Sequence, residues 1–263
     1  MHVVTFASQK GGSGKTTLAG HMAVQAARAT GERVALIDTD PQGSLADWWN
    51  VRADPMPEFV HTNVGHLGSD LEALARMGVK LVFIDTPPAI TDTIRQVVGV
   101  SDLVAIPTRP SPHDLRAAGA TVELVEAAGR QLVFVVNAAT MRARITGEAA
   151  VALSQHGTVA PTTIHQRTDF ASSMIDGRTV MELNPGSRSA VEIAELWTYI
   201  ATRLQGTRRE TFLGSHAARK QRKTAVIPQP GGAGPASAEF ARPGNGKSQS
   251  AMPGNALPEN TNA

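Results

Sequence analysis

The sequence predicts an α/β fold: a mostly parallel β-sheet covered by helices on both faces. Three observations predict it. Short apolar runs bounded by turn residues recur along residues 1–205, as buried strands do. Amphipathic or Ala-rich segments of helical length separate them, and strands alternating with helices build parallel sheets. A glycine-rich turn follows the first strand, and three carboxylates, Asp38, Asp40 and Asp85, fall at or just beyond strand ends. Such sheets bind their ligands at those ends.

The predicted strands, in order, are HVVTFA (2–7), RVALID (33–38), KLVFID (80–85), DLVAIP (102–107) and QLVFVVN (131–137), with a weaker candidate at GTVAPT (157–162). The first predicted helix runs from Thr16 to Ala29 and closes at Gly31, a left-handed C-cap. Further helices are predicted over Leu67–Met77, His113–Ala128, Ala143–Gln155 and Ser187–Leu204. The last has apolar residues at Val191, Ala194, Trp197, Ile200 and Ala201. Near Gly206 the composition changes. Residues 206–263 are rich in Gly, Pro, Ser, Ala and Asn and hold few large apolar side chains. A segment of this kind cannot offset its ordering entropy, so a disordered tail is predicted after a single domain at 1–205.

Composition narrows the function. The 263 residues include no cysteine, which excludes structural disulfides, thiolate zinc sites and cysteine-ligated iron–sulfur clusters and suits a reducing cytoplasm. No apolar run approaches the roughly 20 residues that span a bilayer. The first strand follows Met1 without a basic-then-apolar leader, so a soluble, internal protein is expected. Net charge is +2, unevenly placed: the tail holds eight basic and three acidic residues, and residues 1–205 hold 17 basic and 20 acidic. An anion-binding face on the domain therefore depends on local clustering.

The stretch SQKGGSGKTT (8–17) nearly matches the phosphate-loop pattern G-x-x-x-x-G-K-[ST], with Gln9 where the first glycine belongs and an extra cation, Lys10. A strand before it and a helix after it supply the context the motif needs. Backbone N–H groups of Gly11, Gly12, Ser13 and Gly14 would converge on an anion, helped by the helix N-terminus. Lys15 would reach the β and γ phosphates of a nucleotide, the Thr16 hydroxyl would ligate Mg²⁺, and Thr17 would help hold the α phosphate. The competing reading is an ordinary glycine turn with a capping threonine. KLVFIDTPP supplies a second half: Asp85, at the strand end, would hold Mg²⁺ through water, and Pro87 and Pro88 stiffen the chain that leaves it.

SQKGGSGKTT, IDTDPQGS and FIDTPP, in this order and spacing, resemble the ParA/MinD family of deviant Walker A ATPases, closest to the ParA-type partition ATPases. The resemblance covers roughly residues 1–205 and implies a P-loop NTPase-like sheet, ATP and Mg²⁺ as cofactors, and slow ATP hydrolysis. It assigns Lys10 to the signature lysine that crosses a homodimer interface to the partner's phosphates. Asp40 matches the switch acid that positions the attacking water, with Asp38 nearer the metal. A carboxylate beside a triphosphate makes a poor base, so Asp40 is read as an orienter. Asn137 matches the position that reads the adenine edge; its alternative is a strand-ending asparagine.

In the partition branch the ATP-bound dimer grips nonspecific DNA, and a ParB-like or other cargo-adaptor protein stimulates hydrolysis. Arg167 and Arg188, with Arg178, are the matching DNA-contact candidates. Each is equally read as a surface arginine paired to Asp169, Asp176 or Glu192. The resemblance implies a cytoplasmic, nucleoid-associated protein. A MinD-like membrane regulator is the alternative, although the segment after the last predicted helix has too few bulky apolar residues for a membrane face. A metabolic enzyme on the same scaffold is a third reading.

Overall fold

The computed structural model describes residues 1–89 and 92–223, with 207–223 described by backbone alone. Six strands, β1 (His2–Phe6), β2 (Val34–Asp38), β3 (Glu58–Val60), β4 (Leu81–Asp85), β5 (Leu103–Thr108) and β6 (Gln131–Val136), form one parallel sheet in the order β3-β2-β4-β1-β5-β6. The helices are α1 (Lys15–Thr30), α2 (Ser44–Asn50), α3 (Leu67–Arg76), α4 (Asp92–Gly99), α5 (Pro112–Ala127), α6 (Arg144–Ser154), α7 (Thr168–Met174), α8 (Val180–Leu183) and α9 (Arg188–Lys223).

Alternation along the strands sorts side chains to two faces. Val4, Phe6, Leu36 and Phe83 pack with Leu18 and Met22 of α1 and with Ile193, Leu196, Trp197 and Ile200 of α9. Val3, Ala35, Ile37, Val82 and Ile84 pack on the other side against Leu67, Leu71 and Leu74 of α3 and Val97 of α4. Val104, Ile106, Phe134 and Val136 continue that side under α5 and α6. Helices thus cover both faces, as the sequence predicts.

Five strands and the five predicted helices lie where the sequence places them, within a few residues at most ends. β3 is an addition: three half-buried residues give too short an apolar run to stand out. Residues 157–162 form no strand; Val159 makes one isolated bridge to Phe134. Helix α9 continues past Gly206 to Lys223. The tail predicted to be disordered lies, beyond Lys223, outside the described residues. Among the described residues no helix is long and apolar enough to cross a membrane.

One polar clasp ties α2 to the α7–α8 corner. The Arg52 side chain is 2% exposed; Nε donates to the Met56 carbonyl (2.9 Å), Nη1 to the Gly177 carbonyl (2.7 Å), and the fork to both oxygens of Glu182 (2.6 and 2.9 Å). Gly177 has φ +77°, and a side chain there would overlap the Arg52 backbone. Glu182 also accepts from the backbone and hydroxyl of Thr179, both at 2.8 Å, closing the capping box of α8. Burial pushes the Glu182 carboxyl up, but the Arg52 and Thr179 hydrogen bonds outweigh it and hold the group below its usual range.

Arg52→Ala should therefore take the cation from a half-buried carboxylate, leaving it only its Thr179 hydrogen bonds, and cost about 3 kcal/mol, read as a lower urea midpoint. Because Glu182 is held low, its contribution is present at neutral pH and is lost as pH falls through its folded value. The urea midpoints of the wild-type and Arg52→Ala chains should converge in acid. A difference that is constant with pH would refute this pairing as its source.

Candidate nucleotide-binding site

Parallel register builds the site. Phe6 and Asp38 each lie level with Asp85 on neighbouring strands, so the loop after β1 and the acids ending β2 and β4 meet at one edge. That loop turns through two left-handed glycines, Gly12 (φ +70°) and Gly14 (φ +95°), before α1 starts at Lys15. Gly14 is also sterically required, because a Cβ there would overlap the Asn137 amide nitrogen. Asn137 Nδ2 donates to the Ser13 carbonyl at 2.6 Å and fixes the loop from the end of β6. In this structure Asn137 is thus a loop clamp. Its amide nitrogen, assigned above to an adenine edge, is engaged by protein.

Lys15 is buried, and its ammonium makes one long hydrogen bond, 3.5 Å to the Lys10 carbonyl. Burial pushes Lys15 below its ordinary value, opposed by the charges of Asp85 and Asp40. The Ser13 hydroxyl is buried without a partner among the described residues. A desolvated, weakly bonded cation and an orphan donor under a glycine turn fit an anion that would satisfy both.

On the acid side, the Thr16 hydroxyl donates to Asp85 Oδ2 at 2.5 Å. Burial pushes the Asp85 carboxyl up to about 7; the Thr16 bond opposes this, the Asp38 charge adds to it, and Lys15 opposes it. A Thr hydroxyl against a crowded, desolvated carboxylate suits Mg²⁺, which takes few protein ligands and fills the rest with water and phosphate. No cluster of three or more His, Cys, Asp or Glu side chains among the described residues is placed to hold a metal ion.

Asp38 is oriented by backbone. Oδ1 accepts from Asp40 N (2.9 Å) and Oδ2 from Leu45 N (3.0 Å) and Ala46 N (3.2 Å), capping α2 from upstream. Asp40, half-buried, accepts from Gln42 N at 3.0 Å. Thr39, which the sequence reading passes over, donates through N (3.0 Å) and Oγ1 (2.6 Å) to the Asp85 carbonyl and locks β2 to β4 at the site. Its role depends on the Asp38–Asp85 register, which leaves no local signal. Lys10 is exposed, and its side chain makes no hydrogen bond or ion pair among the described residues.

Behind the loop, His21 Nδ1 donates to the Thr17 carbonyl (2.8 Å), and Nε2 accepts from Val180 N (3.3 Å). Burial lowers its value to about 4, so it is a neutral strut between α1 and α8. A small cleft beside Thr17, Asn137 and Ala138 is walled by His165, Arg167 and Phe170. There Glu192 of α9 accepts from His165 N and Nδ1 (3.0 and 2.8 Å) and from both Arg167 Nη atoms (2.6 and 2.7 Å).

The three DNA-contact candidates therefore differ. Arg167 is 15% exposed and fully forked onto Glu192, while Arg178 pairs with Asp176 at the surface (2.6 Å). Arg188, exposed at the start of α9, has no side-chain partner among the described residues.

A family profile described as the CobQ/CobB/MinD/ParA nucleotide binding domain matches residues 4–229. The chain belongs to this family. Within it, the "Maintenance of carboxysome distribution protein A" of Halothiobacillus neapolitanus is 30% identical over 196 residues, 71% of this chain and 89% of that protein. Among solved folds, apo McdA from Cyanothece superposes with a TM-score of 0.64 at 16% identity, covering 79% of this chain and 99% of its own. The cell-division protein MinD of Aquifex aeolicus gives 0.63 at 17%, covering 78% and 98%. The P-loop NTPase-like ParA/MinD fold is thereby established, and ParA/MinD proteins are ATP-binding ATPases.

Gly14→Ala should strain the loop by ~1 kcal/mol or more and displace Asn137, weakening binding of a fluorescent ATP analogue about tenfold or more. The circular-dichroism spectrum should be unchanged. Unaltered affinity would contradict the clamp.

Proposed function

We propose that the chain is an ATP-driven dimerisation switch of the ParA type, which positions or partitions a cargo over nonspecific DNA. The observation that carries this reading is Lys10, an exposed cation without a side-chain partner among the described residues, on the rim of a loop whose floor already has its own lysine. A second subunit facing that rim would receive Lys10 at its bound phosphates, a positive charge delivered where negative charge accumulates.

In the proposed cycle, ATP and Mg²⁺ bind through Lys15, Thr16 and Asp85, and two subunits close over the nucleotides. Asp40 orients the attacking water, and turnover is slow because that carboxylate shares the site with Asp38, Asp85 and a triphosphate. DNA is held by phosphate contacts from Arg188 at the start of α9, with Arg178 as a further candidate. Arg167, neutralised by Glu192, braces the cleft and contributes little to this surface. A ParB-like or other adaptor on the cargo stimulates hydrolysis and releases the dimer. The carboxysome-distribution relative supports a protein assembly as cargo, alongside a plasmid or chromosome region.

Lys10→Ala should bind ATP within about threefold of wild type yet lose hydrolysis, whereas Lys15→Ala should lose binding itself. Normal turnover in Lys10→Ala would refute the crossing lysine. Retention on nonspecific DNA should require ATP and fall steeply with salt. Retention that ignores nucleotide, or capture by anionic vesicles instead of DNA, would refute the DNA switch.

A further inference from the structure

Beside Lys10 and Lys15 the site holds a third cation, which neither the motif nor the proposed cycle uses. Strand β5 lies beside β1 with Ala105 level with Phe6, and runs on to Thr108. Its extension brings Arg109 to the height of the phosphate loop. A Cβ built on Gly12 would lie 3.6 Å from Arg109 Nη2, so the guanidinium rests against the left-handed turn of the loop. Arg109 is exposed, and its side chain makes no hydrogen bond or ion pair among the described residues.

Its backbone, by contrast, is fixed. Pro107, Pro110 and Pro112 bracket it, and Ser111 N donates to the Arg109 carbonyl at 2.8 Å. The Thr108 carbonyl accepts from Asn137 N at 2.9 Å, the residue whose amide clamps Ser13. Hydrogen bonds through Asn137 thus link the segment that carries Arg109 to the loop. The opposite side of the site is acidic, with Asp38, Asp40 and Asp85 on β2 and β4 and the chain leaving them. The other nearby arginine, Arg167, is engaged by Glu192. A guanidinium against the turn of a phosphate loop, on the side of β1 away from the acids of β2 and β4, is placed for a polyanion, and its planar fork suits phosphate oxygens.

We infer that Arg109 contacts the nucleotide bound in its own subunit and stabilises the charge that builds on the phosphate oxygens during hydrolysis. This rests on the ATP-hydrolysing reading above. In that reaction the water oxygen bonds to the γ-phosphorus as the bond to the β–γ bridging oxygen breaks. The electron pair leaves on ADP, and the water proton passes to the released phosphate or to solvent. Arg109 exchanges no proton; a guanidinium stays charged and acts as a donor only. It complements Lys10, which the proposed cycle assigns to the neighbouring subunit.

The test compares the full chain with Arg109→Ala and Arg109→Lys, measuring steady-state hydrolysis, MgADP affinity and trapping of fluorescent MgADP by aluminium fluoride. Arg109→Ala should lower kcat about 10- to 100-fold with KM and MgADP affinity within about threefold, and should fail to trap. Arg109→Lys should fall between the two. Wild-type turnover and trapping in Arg109→Ala would overturn the assignment. So would recovery of activity on mixing Arg109→Ala with a Lys15→Ala chain, which would place the arginine across the interface. Absence of turnover in the unsubstituted chain would overturn the ATPase reading itself, and this assignment with it.

Discussion

The level alignment of β1, β2 and β4 is the constraint on which the site depends. Parallel pairing puts Phe6, Asp38 and Asp85 side by side, so three chain segments distant in sequence deliver a phosphate loop and two carboxylates to one edge of the sheet. A one-residue slip of β4 would turn Asp85 to the opposite face and bring Ile84 or Thr86 level with Phe6. Every β4 residue is buried, so a slip would have to repack side chains of different size against both helical layers. The catalytic edge therefore inherits its precision from the core.

Upon that frame the loop is held under electrostatic tension that a nucleotide would relieve. Lys15 is desolvated with one weak hydrogen bond, the Ser13 hydroxyl has no partner, and Asp85 is driven toward its neutral form beside Asp38. A triphosphate would satisfy the first two, and a divalent cation would stabilise the third as a carboxylate. Pre-organised groups of this kind favour a bound polyanion without reorganisation at the moment of reaction. His21 and Arg52 anchor the α7–α8 corner to α1 and to the chain after α2 by polar contacts.

Much of this was legible in the sequence because it is local. The glycine turn, Lys15, Thr16 and the long apolar strands declare themselves over fewer than about ten residues each. What stayed hidden depends on tertiary neighbours. Helix α2 is capped by Asp38 from upstream, β3 is three residues long, and α4, α7 and α8 are too short to show a clear period. The Asn137 clamp on Ser13 and the approach of Arg109 to Gly12 require β5 and β6 to follow β1 in the sheet, an order that no segment encodes alone. The arginines show the same limit. Their acidic partners were visible as candidates, but only the packing of α9 against the cleft decides that Arg167 takes Glu192.

The account makes ATP part of a subunit interface, with an exposed lysine from each copy completing the other's site. The most direct measurement is light-scattering mass of Asp40→Ala, in which hydrolysis should be blocked, with excess Mg²⁺ and ATP and again with ADP. Twice the chain mass is expected with ATP and a single chain with ADP. A single chain under both conditions would contradict it.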